Sequence, residues 1–165
     1  MRERGGIFIF LLILIFLIGG FFLILKIAWD SLPNEPLYQV KGILEQLQLS
    51  TTELDRGQRA SAYMTLADRR LDELVRLENK NGSPKQLLEM AQLFLENEQK
   101  AIDEINRESR GVSVSNAINK LLSINQKAGI IFSRILDKTP APEYYSFLKL
   151  KQQVEDTSDK FSRNN

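Results

Sequence analysis

Four carboxylates follow one another in a charged stretch of the C-terminal half: Glu96, Glu98, Asp103 and Glu104. Two carboxyl groups can divide general acid and general base work when their surroundings push their pKa values apart. The chemistry open to this set is therefore a carboxylate-based hydrolysis. The four residues also recur on the polar side of a predicted helix, with no apolar pocket predicted around them. A solvated helix face is the favoured interpretation.

Absent residue types narrow the chemistry further. The chain contains no cysteine and no histidine, which excludes disulfides, thiolate metal sites and histidine-based acid–base catalysis. It also lacks an EF-hand loop, a phosphate-binding loop and a Gly-x-Ser-x-Gly turn. We therefore expect no catalytic residue, no cofactor and no metal site, and a protein that is not an enzyme.

The charged residues balance almost completely, with 22 Lys and Arg against 21 Asp and Glu. A nucleic-acid-binding protein needs a net basic face that displaces counterions from phosphates. Binding to anionic headgroups needs a polybasic cluster. Neither is present, so the sequence predicts no nucleic-acid partner and a mixed, solvated surface.

An apolar run near the N-terminus is the most specific feature of the chain. From Ile7 to Leu25 no side chain is polar or charged. As a helix this run would extend roughly 28 Å, against a hydrocarbon core of about 30 Å. A signal peptide has a shorter apolar core and a small-x-small cleavage site, whereas here bulky Trp29 follows Ala28. We therefore favour an uncleaved signal anchor at residues 7–29 over a cleaved signal peptide.

The flanks of the run predict its orientation. Arg2 and Arg4 precede it, so the positive-inside tendency places residues 1–6 in the cytoplasm and the larger C-terminal part outside. Lys26 can extend its amine to the headgroups, and Trp29 lies where interfacial aromatic residues are enriched. The predicted anchor residues are Ile7, Phe8, Leu12, Ile15, Ile18, Phe22, Leu25, Lys26 and Trp29.

The elements that would position the remaining side chains are helices. After a tether at residues 30–36, which contains two prolines, apolar residues recur at spacings of three and four. No stretch alternates as a strand does. We expect an all-α fold, in which a single N-terminal transmembrane helix is followed by an antiparallel bundle of four to five helices. The bundle is predicted within residues 37–160, and the tail at residues 161–165 is expected to fray.

Helix starts are predicted from residues that cap a helix or preset its first turn. They are Pro36, Ser50 with Glu53 at capping-box spacing, Ser83 with Pro84, Ser113 or Ser115, and Glu143. The polar side of the helix after Ser50 includes Asp68 and Asp72 and is interpreted as solvated.

Three segments carry a resemblance to a known family. They are the Pro-x-x-Pro-Leu-Tyr motif of Pro33, Pro36, Leu37 and Tyr38, the Ala-x-Arg-Arg-Leu core at residues 67–71, and residues 131–136 followed by Pro140. Over about residues 32–155 the chain resembles an uncharacterised prokaryotic family of membrane-attached, extracytoplasmic helical domains. The resemblance implies this fold and this location. Some members accompany envelope signalling or anti-sigma-like proteins.

From the residues alone, Leu37 and Tyr38 are interpreted as packing residues, with a ligand-binding tyrosine as the alternative.

Together these features predict a non-enzymatic, membrane-anchored helical domain of the cell envelope, displayed outside the cytoplasm as a protein-interaction or sensor-like accessory module. Its expected partners are the lipid bilayer, through residues 7–29, and an unidentified protein. One alternative is a structural, envelope-spanning rod like a phage spanin or a small division protein. Such rods show sustained heptads, whereas Gly82, Pro84 and Pro140 interrupt the pattern here. The less favoured alternative is the carboxylate-based hydrolase.

Overall fold

The computed structural model describes residues 3–33, 35–50, 55–107 and 112–163, with residues 3–8 described for their backbone alone. These residues contain no strand and form six helices. The helices are α1 (Glu3–Asp30), α2 (Tyr38–Ser50), α3 (Arg56–Asn79), α4 (Pro84–Arg107), α5 (Val112–Leu136) and α6 (Ala141–Arg163). The all-α prediction, with an apolar N-terminal helix ahead of a helical bundle, is confirmed. The contacts divide the chain into two units, Met1–Leu47 and Gln48–Asn165.

In the first unit an ordered turn joins α1 to α2. The Ser31 hydroxyl donates to the carbonyl of Ala28 at 2.6 Å, which satisfies an acceptor in the last turn of α1. The Glu35 carboxylate accepts from the N–H of Leu32 at 2.8 Å. Lys41 reaches back from α2 and donates to the carbonyl of Ser31 at 3.3 Å. Described residues of the predicted tether are therefore held in place by hydrogen bonds. Pro36 lies in this turn, two residues before α2 begins, rather than at the first helical position.

In the second unit α3 to α6 form a four-helix arrangement. α3 packs against α4 and α5, and α6 packs against the same two helices, so α3 and α6 lie at opposite corners. α3 and α5 run in the same direction, because Thr65 meets Lys120 near their beginnings and Glu78 meets Arg134 near their ends. Short connections between consecutive helices give the alternating directions of a bundle.

Three phenylalanines form the centre of this bundle, one each from α4, α5 and α6. Phe94, Phe132 and Phe147 are fully buried. Their rings meet edge to face, with centroids 5.8 Å apart for Phe94 and Phe132 and 6.5 Å apart for Phe132 and Phe147. Edge-to-face pairing adds to the free energy gained from burying the rings. α6 is therefore part of the core.

The predicted start of α4 is confirmed, and the turn before it is closed by hydrogen bonds. α4 begins at Pro84, with Ser83 as its cap: the N–H of Gln86 donates to Ser83 Oγ at 3.3 Å, and Gln86 Oε1 accepts from the N–H of Ser83 at 2.8 Å. α3 ends before Asn81, which adopts a left-handed conformation with φ of 57°. The N–H of Gly82 then donates to the carbonyl of Leu77 at 2.8 Å, which closes the helix end.

Other predicted starts are wrong. Ser50 is the last residue of α2, and the cap of α3 is Asp55, whose carboxylate accepts from the N–H of Gln58 at 2.7 Å. Glu53 lies outside the described residues. Ser113 and Ser115 both lie inside α5. Serine and aspartate cap equally well, so residue type alone does not decide among neighbouring candidates. The last helix is predicted to begin near Glu143, and α6 does begin close by, at Ala141, with Pro142 in its first turn, where a missing N–H costs no hydrogen bond.

The beginnings of α3 and α5 meet at Gly57. A Cβ atom at this position would lie 2.6 Å from Ser113 Oγ and 2.7 Å from the Ser113 carbonyl carbon. Real Cβ atoms do not approach backbone so closely, so only glycine fits here without a shift of one helix.

Candidate functional site

A carboxylate is buried where α4, α5 and α6 meet. Glu98 on α4 is 2% exposed, and so is Asn125 on α5. Asn125 Nδ2 donates to Glu98 Oε1 at 2.6 Å. The side chain of Thr157 on α6 also forms a hydrogen bond with Glu98. We call these three residues the Glu98 cluster.

The surroundings of Glu98 change its acidity. Burial raises the pKa of its carboxyl to about 7, and the hydrogen bonds with Asn125 and Thr157 offset part of that rise. In the described part of the chain no cation contributes to the shift. Asn125 Oδ1 is also buried, with no hydrogen-bond partner among the described residues. The cluster thus combines a counterion-free carboxyl with an unpartnered acceptor.

A groove between α4 and α6 is lined by Glu98 and Thr157 of this cluster and has a volume of about 490 Å³. That volume is within the range of small-molecule sites. Its lining contains three carboxylates, three glutamines, one threonine and two apolar residues, and no basic residue. The lining residues are Gln92, Leu95, Glu96, Glu98, Gln99, Ile102, Gln153, Asp156 and Thr157.

The structure does not bring the four carboxylates predicted from sequence together as one set. Glu96 is exposed and pairs with Lys100 at 2.7 Å, and Asp103 is exposed and accepts from Gln99 at 2.9 Å. Glu104 is 9% exposed and lies 4.0 Å from Arg59. The interpretation of all four as a solvated face is wrong for Glu98 and Glu104, and a groove does adjoin Glu96 and Glu98.

The sequence did contain a signal for the Glu98 cluster. Glu98 lies four residues from both Phe94 and Ile102, on the apolar stripe of α4. The other two members interrupt apolar stripes in the same way, Asn125 between Leu121 and Ala128, and Thr157 between Val154 and Phe161. Three polar interruptions on three amphipathic helices, read together, point to a buried polar cluster. Asn125 and Thr157 were not predicted as site residues.

A second polar feature joins α3 to α5 and is structural. Lys127 donates to Asp68 at 2.6 Å and to Asp72 at 2.8 Å. Burial alone would lower the pKa of Lys127, but the two carboxylates outweigh it and raise that pKa. Arg134 and Lys138 both reach Glu78, at 2.6 and 2.8 Å. The polar face of α3 is therefore not simply solvated, because Asp68 and Asp72 hold α5.

Among the described residues, one helix is long and apolar enough to cross a membrane, over Ile9–Asp30. A signal sequence near an N-terminus can meet the same criteria of length and apolar composition. Leu12, Ile15, Ile18, Phe22 and Lys26 are exposed along it, while Leu25 and Trp29 are half-buried. The side chains of Ile7 and Phe8 lie outside the described residues.

The Pro-x-x-Pro-Leu-Tyr residues belong to the turn between α1 and α2. Pro33, Leu37 and Tyr38 are half-buried, and Pro36 is exposed. Lys41 Nζ lies 5.9 Å from the centroid of the Tyr38 ring, within cation–π range. A packing role for Tyr38, as against ligand binding, stays a prediction.

The described part of the chain contains no group of side chains that could hold a metal ion. No three Asp or Glu side chains there lie close enough to share a metal ion. The three carboxylates that line the α4–α6 groove therefore form an acidic surface without the geometry of a metal centre.

Comparison with known proteins gives one match. Residues 30–140 match the family model of a domain of unknown function, DUF5667. The resemblance to an uncharacterised family is thereby confirmed, and the matched region covers the turn and helices α2 to α5. No match was found among curated proteins or among solved structures.

Proposed function

Because the chain belongs to the DUF5667 family through residues 30–140, we propose that it is a non-enzymatic, single-pass membrane protein whose helical bundle acts outside the cytoplasm. In this proposal α1 is an uncleaved anchor, and the bundle serves as a sensor or protein-interaction module of the cell envelope. The family itself has no assigned activity, so the proposal draws on the chain's own residues.

The exposed apolar surface of α1 carries the proposal. Residues such as Phe16, Leu17 and Phe22 are 86%, 66% and 64% exposed. Soluble monomers rarely expose a contiguous apolar surface of this extent. A bilayer would remove that surface from water, at about 25 cal/mol for each Å² buried. Lipid is thus the environment in which α1 is stable.

The charges beside α1 support the orientation. Arg2 and Arg4 precede the apolar run, and Lys26 is followed closely by Asp30. The larger positive charge before the span favours a cytoplasmic N-terminus and a bundle on the opposite side. In this proposal a signal from the bundle passes to a partner protein.

The Glu98 cluster supports a recognition role over hydrolysis. Its carboxyl has neutral hydrogen-bond partners, Asn125 and Thr157, and neither is a second acid or base. The hydrolase stays as a second candidate because the raised pKa of Glu98 and its place in a groove are also properties of a general acid. The rod-like alternative has less support, because α3 to α6 pack on one another as a bundle.

Membrane topology tests the proposal directly. We expect the full chain with a C-terminal tag to stay in the membrane after alkaline extraction and to lose its tag to protease added outside spheroplasts. N-terminal sequencing of the mature protein should find a start before Ile7. A mature start at or after Trp29, or a tag protected until lysis, would overturn the anchor or its orientation.

Partner capture tests the interaction role. Crosslinking in intact membranes, followed by purification of the tagged chain, should recover the same partner reproducibly. A matched assay addresses hydrolysis: the purified protein and its Glu98→Gln variant should both lack activity towards hydrolase substrates. Loss of a measured hydrolytic activity in this variant would favour the enzyme instead.

A further inference from the structure

We propose that the α4–α6 groove binds a linear organic amine, with its ammonium group placed against Glu98. This deepens the proposed sensor role and rests on it for its biological meaning, since the amine would be the sensed molecule. The binding itself depends on the bundle and not on the topology of α1.

The hydrogen-bonding capacity of the Glu98 cluster points to a donor-rich ligand. The Glu98 carboxylate is an acceptor and the Thr157 hydroxyl can accept, and both residues line the groove. Asn125 lies behind the lining residues of the groove, and its Nδ2 donates to Glu98 Oε1 at 2.6 Å, which holds the carboxylate in position. An ammonium group has three donors and no acceptor, so it matches this excess of acceptors.

The charge of the groove has the matching sign. Glu96, Glu98 and Asp156 line it, and no Lys or Arg does. Glu96 is paired with Lys100, which does not line the groove. No described cation contributes to the shifted pKa of Glu98. A ligand cation would supply the missing counterion in a place where water screens poorly.

The remaining lining residues suit a chain of methylene groups. Leu95 and Ile102 flank Glu98 along α4 and give the groove its apolar part. Gln92, Gln99 and Gln153 can each donate and accept hydrogen bonds at the rim. Because Glu98 is only 2% exposed, a slender alkyl amine reaches it more readily than a bulky ring. Asp156 supplies a second carboxylate of the lining for a ligand with two ammonium groups.

Ionisation of Glu98 sets the pH range of binding. The carboxyl must lose its proton to act as a counterion, and its pKa of about 7 puts this near neutrality. The groups that face it are the acidic Glu96 from α4 and Asp156 from α6, with neutral Asn125 from α5. Amine affinity should therefore increase as the pH rises from about 6 to about 8.

Calorimetric titration of the full-length protein in phosphatidylcholine nanodiscs tests this inference. The probe is putrescine, and butanediol is the neutral control of matching length. We expect saturable binding of putrescine and none of butanediol. Glu98→Gln keeps the shape and removes the charge, so it should weaken putrescine binding by about tenfold or more. Glu89→Gln, on the same helix but outside the groove, should leave the affinity unchanged.

Several outcomes would overturn the inference. One is the absence of saturable heat with putrescine up to about 10 mM. A second is a Glu98→Gln variant that binds putrescine as tightly as the unmodified protein, and a third is butanediol that binds as tightly as putrescine. Circular dichroism of each variant shows that a loss of binding does not come from unfolding, and Asp156→Asn gives a second test from α6. A failed topology assay with intact putrescine binding would refute the membrane role alone, whereas the reverse result would refute only the amine.

Discussion

Asn125 Nδ2 donates a 2.6 Å hydrogen bond to Oε1 of Glu98, which joins α5 to a carboxyl buried on α4. The two residues are each 2% exposed, in the region where Phe94 and Phe132 also join these helices. A buried carboxyl is costly to ionise, so this contact couples the stability of the bundle to pH.

Glu98→Gln should change the pH dependence of stability. The pKa of Glu98 is raised in the folded protein, so the folded state holds the proton more tightly than the unfolded state. The contribution of Glu98 to stability is then greatest below the ordinary pKa of 4.5, falls as the pH rises to about 7, and is level above that. The fall amounts to about 3 kcal/mol, and the Glu98→Gln variant should lack this fall.

Denaturant unfolding of the full chain in detergent, followed by circular dichroism at pH values across this window, measures the difference. Glu96→Gln is the exposed control, and identical pH profiles for Glu98→Gln and the unmodified chain would contradict the prediction.

Glu78→Gln should destabilise the protein at neutral pH and not at low pH. Burial acts to raise the pKa of Glu78, but hydrogen bonds from Lys138 and Arg134 outweigh it and lower that pKa. A carboxyl with a lowered pKa stabilises the fold above its ordinary pKa, and that stability is lost as the pH falls through the folded value. We expect a loss of about 1 kcal/mol at pH 7. The control is Glu89→Gln, since Glu89 is 52% exposed and 4.0 Å from Lys85. An equal loss at both pH values would argue against the ion pairs.

Gly57→Ala should destabilise the bundle because its Cβ would collide with Ser113 at the start of α5. Overpacking of this kind costs about 1–3 kcal/mol. Gly129→Ala is the matched control, since a Cβ there has nothing within 4 Å. In that helix interior, alanine should be neutral or stabilising by up to about 1 kcal/mol. Thermal unfolding of both variants measures the contrast, and a stabilised Gly57→Ala protein would contradict the close approach of α3 and α5.

Replacing Leu14 and Ile15 together by arginine should move the chain out of the membrane. Each arginine at the centre of a span costs about 3 kcal/mol for insertion, and both wild-type residues are exposed on α1. The measurement is the share of protein in the membrane pellet after alkaline extraction. Leu14→Ile with Ile15→Leu keeps the apolar character and should remain in the pellet. Full retention of the double arginine variant would mean that α1 is not what attaches the protein.

Local patterns predicted much of the fold. Apolar spacing gave the helices because each one buries a single stripe, and Ser83 with Pro84 marked a true start since cap and first-turn proline agree there. Ser50 failed because α2 continues through it and Asp55 caps α3 instead.

The Glu98 cluster was harder to predict. Glu98, Asn125 and Thr157 are far apart in sequence, and each alone is one polar residue on an apolar stripe. Their meeting depends on which helices are neighbours around the bundle and in what register. Local periodicity holds no information about either property, because both follow from how side chains of different helices pack.

Thr157 and Phe147 both lie on α6, beyond the family match at residues 30–140. The boundary of the matched region is therefore not the boundary of the folding unit. A fragment cut after residue 140 would lack the ring that packs on Phe132 and the hydroxyl that meets Glu98. We expect such a fragment to be aggregation-prone, because it would present a core surface to water. Any recombinant domain of this protein should accordingly extend through Arg163, the last residue of α6.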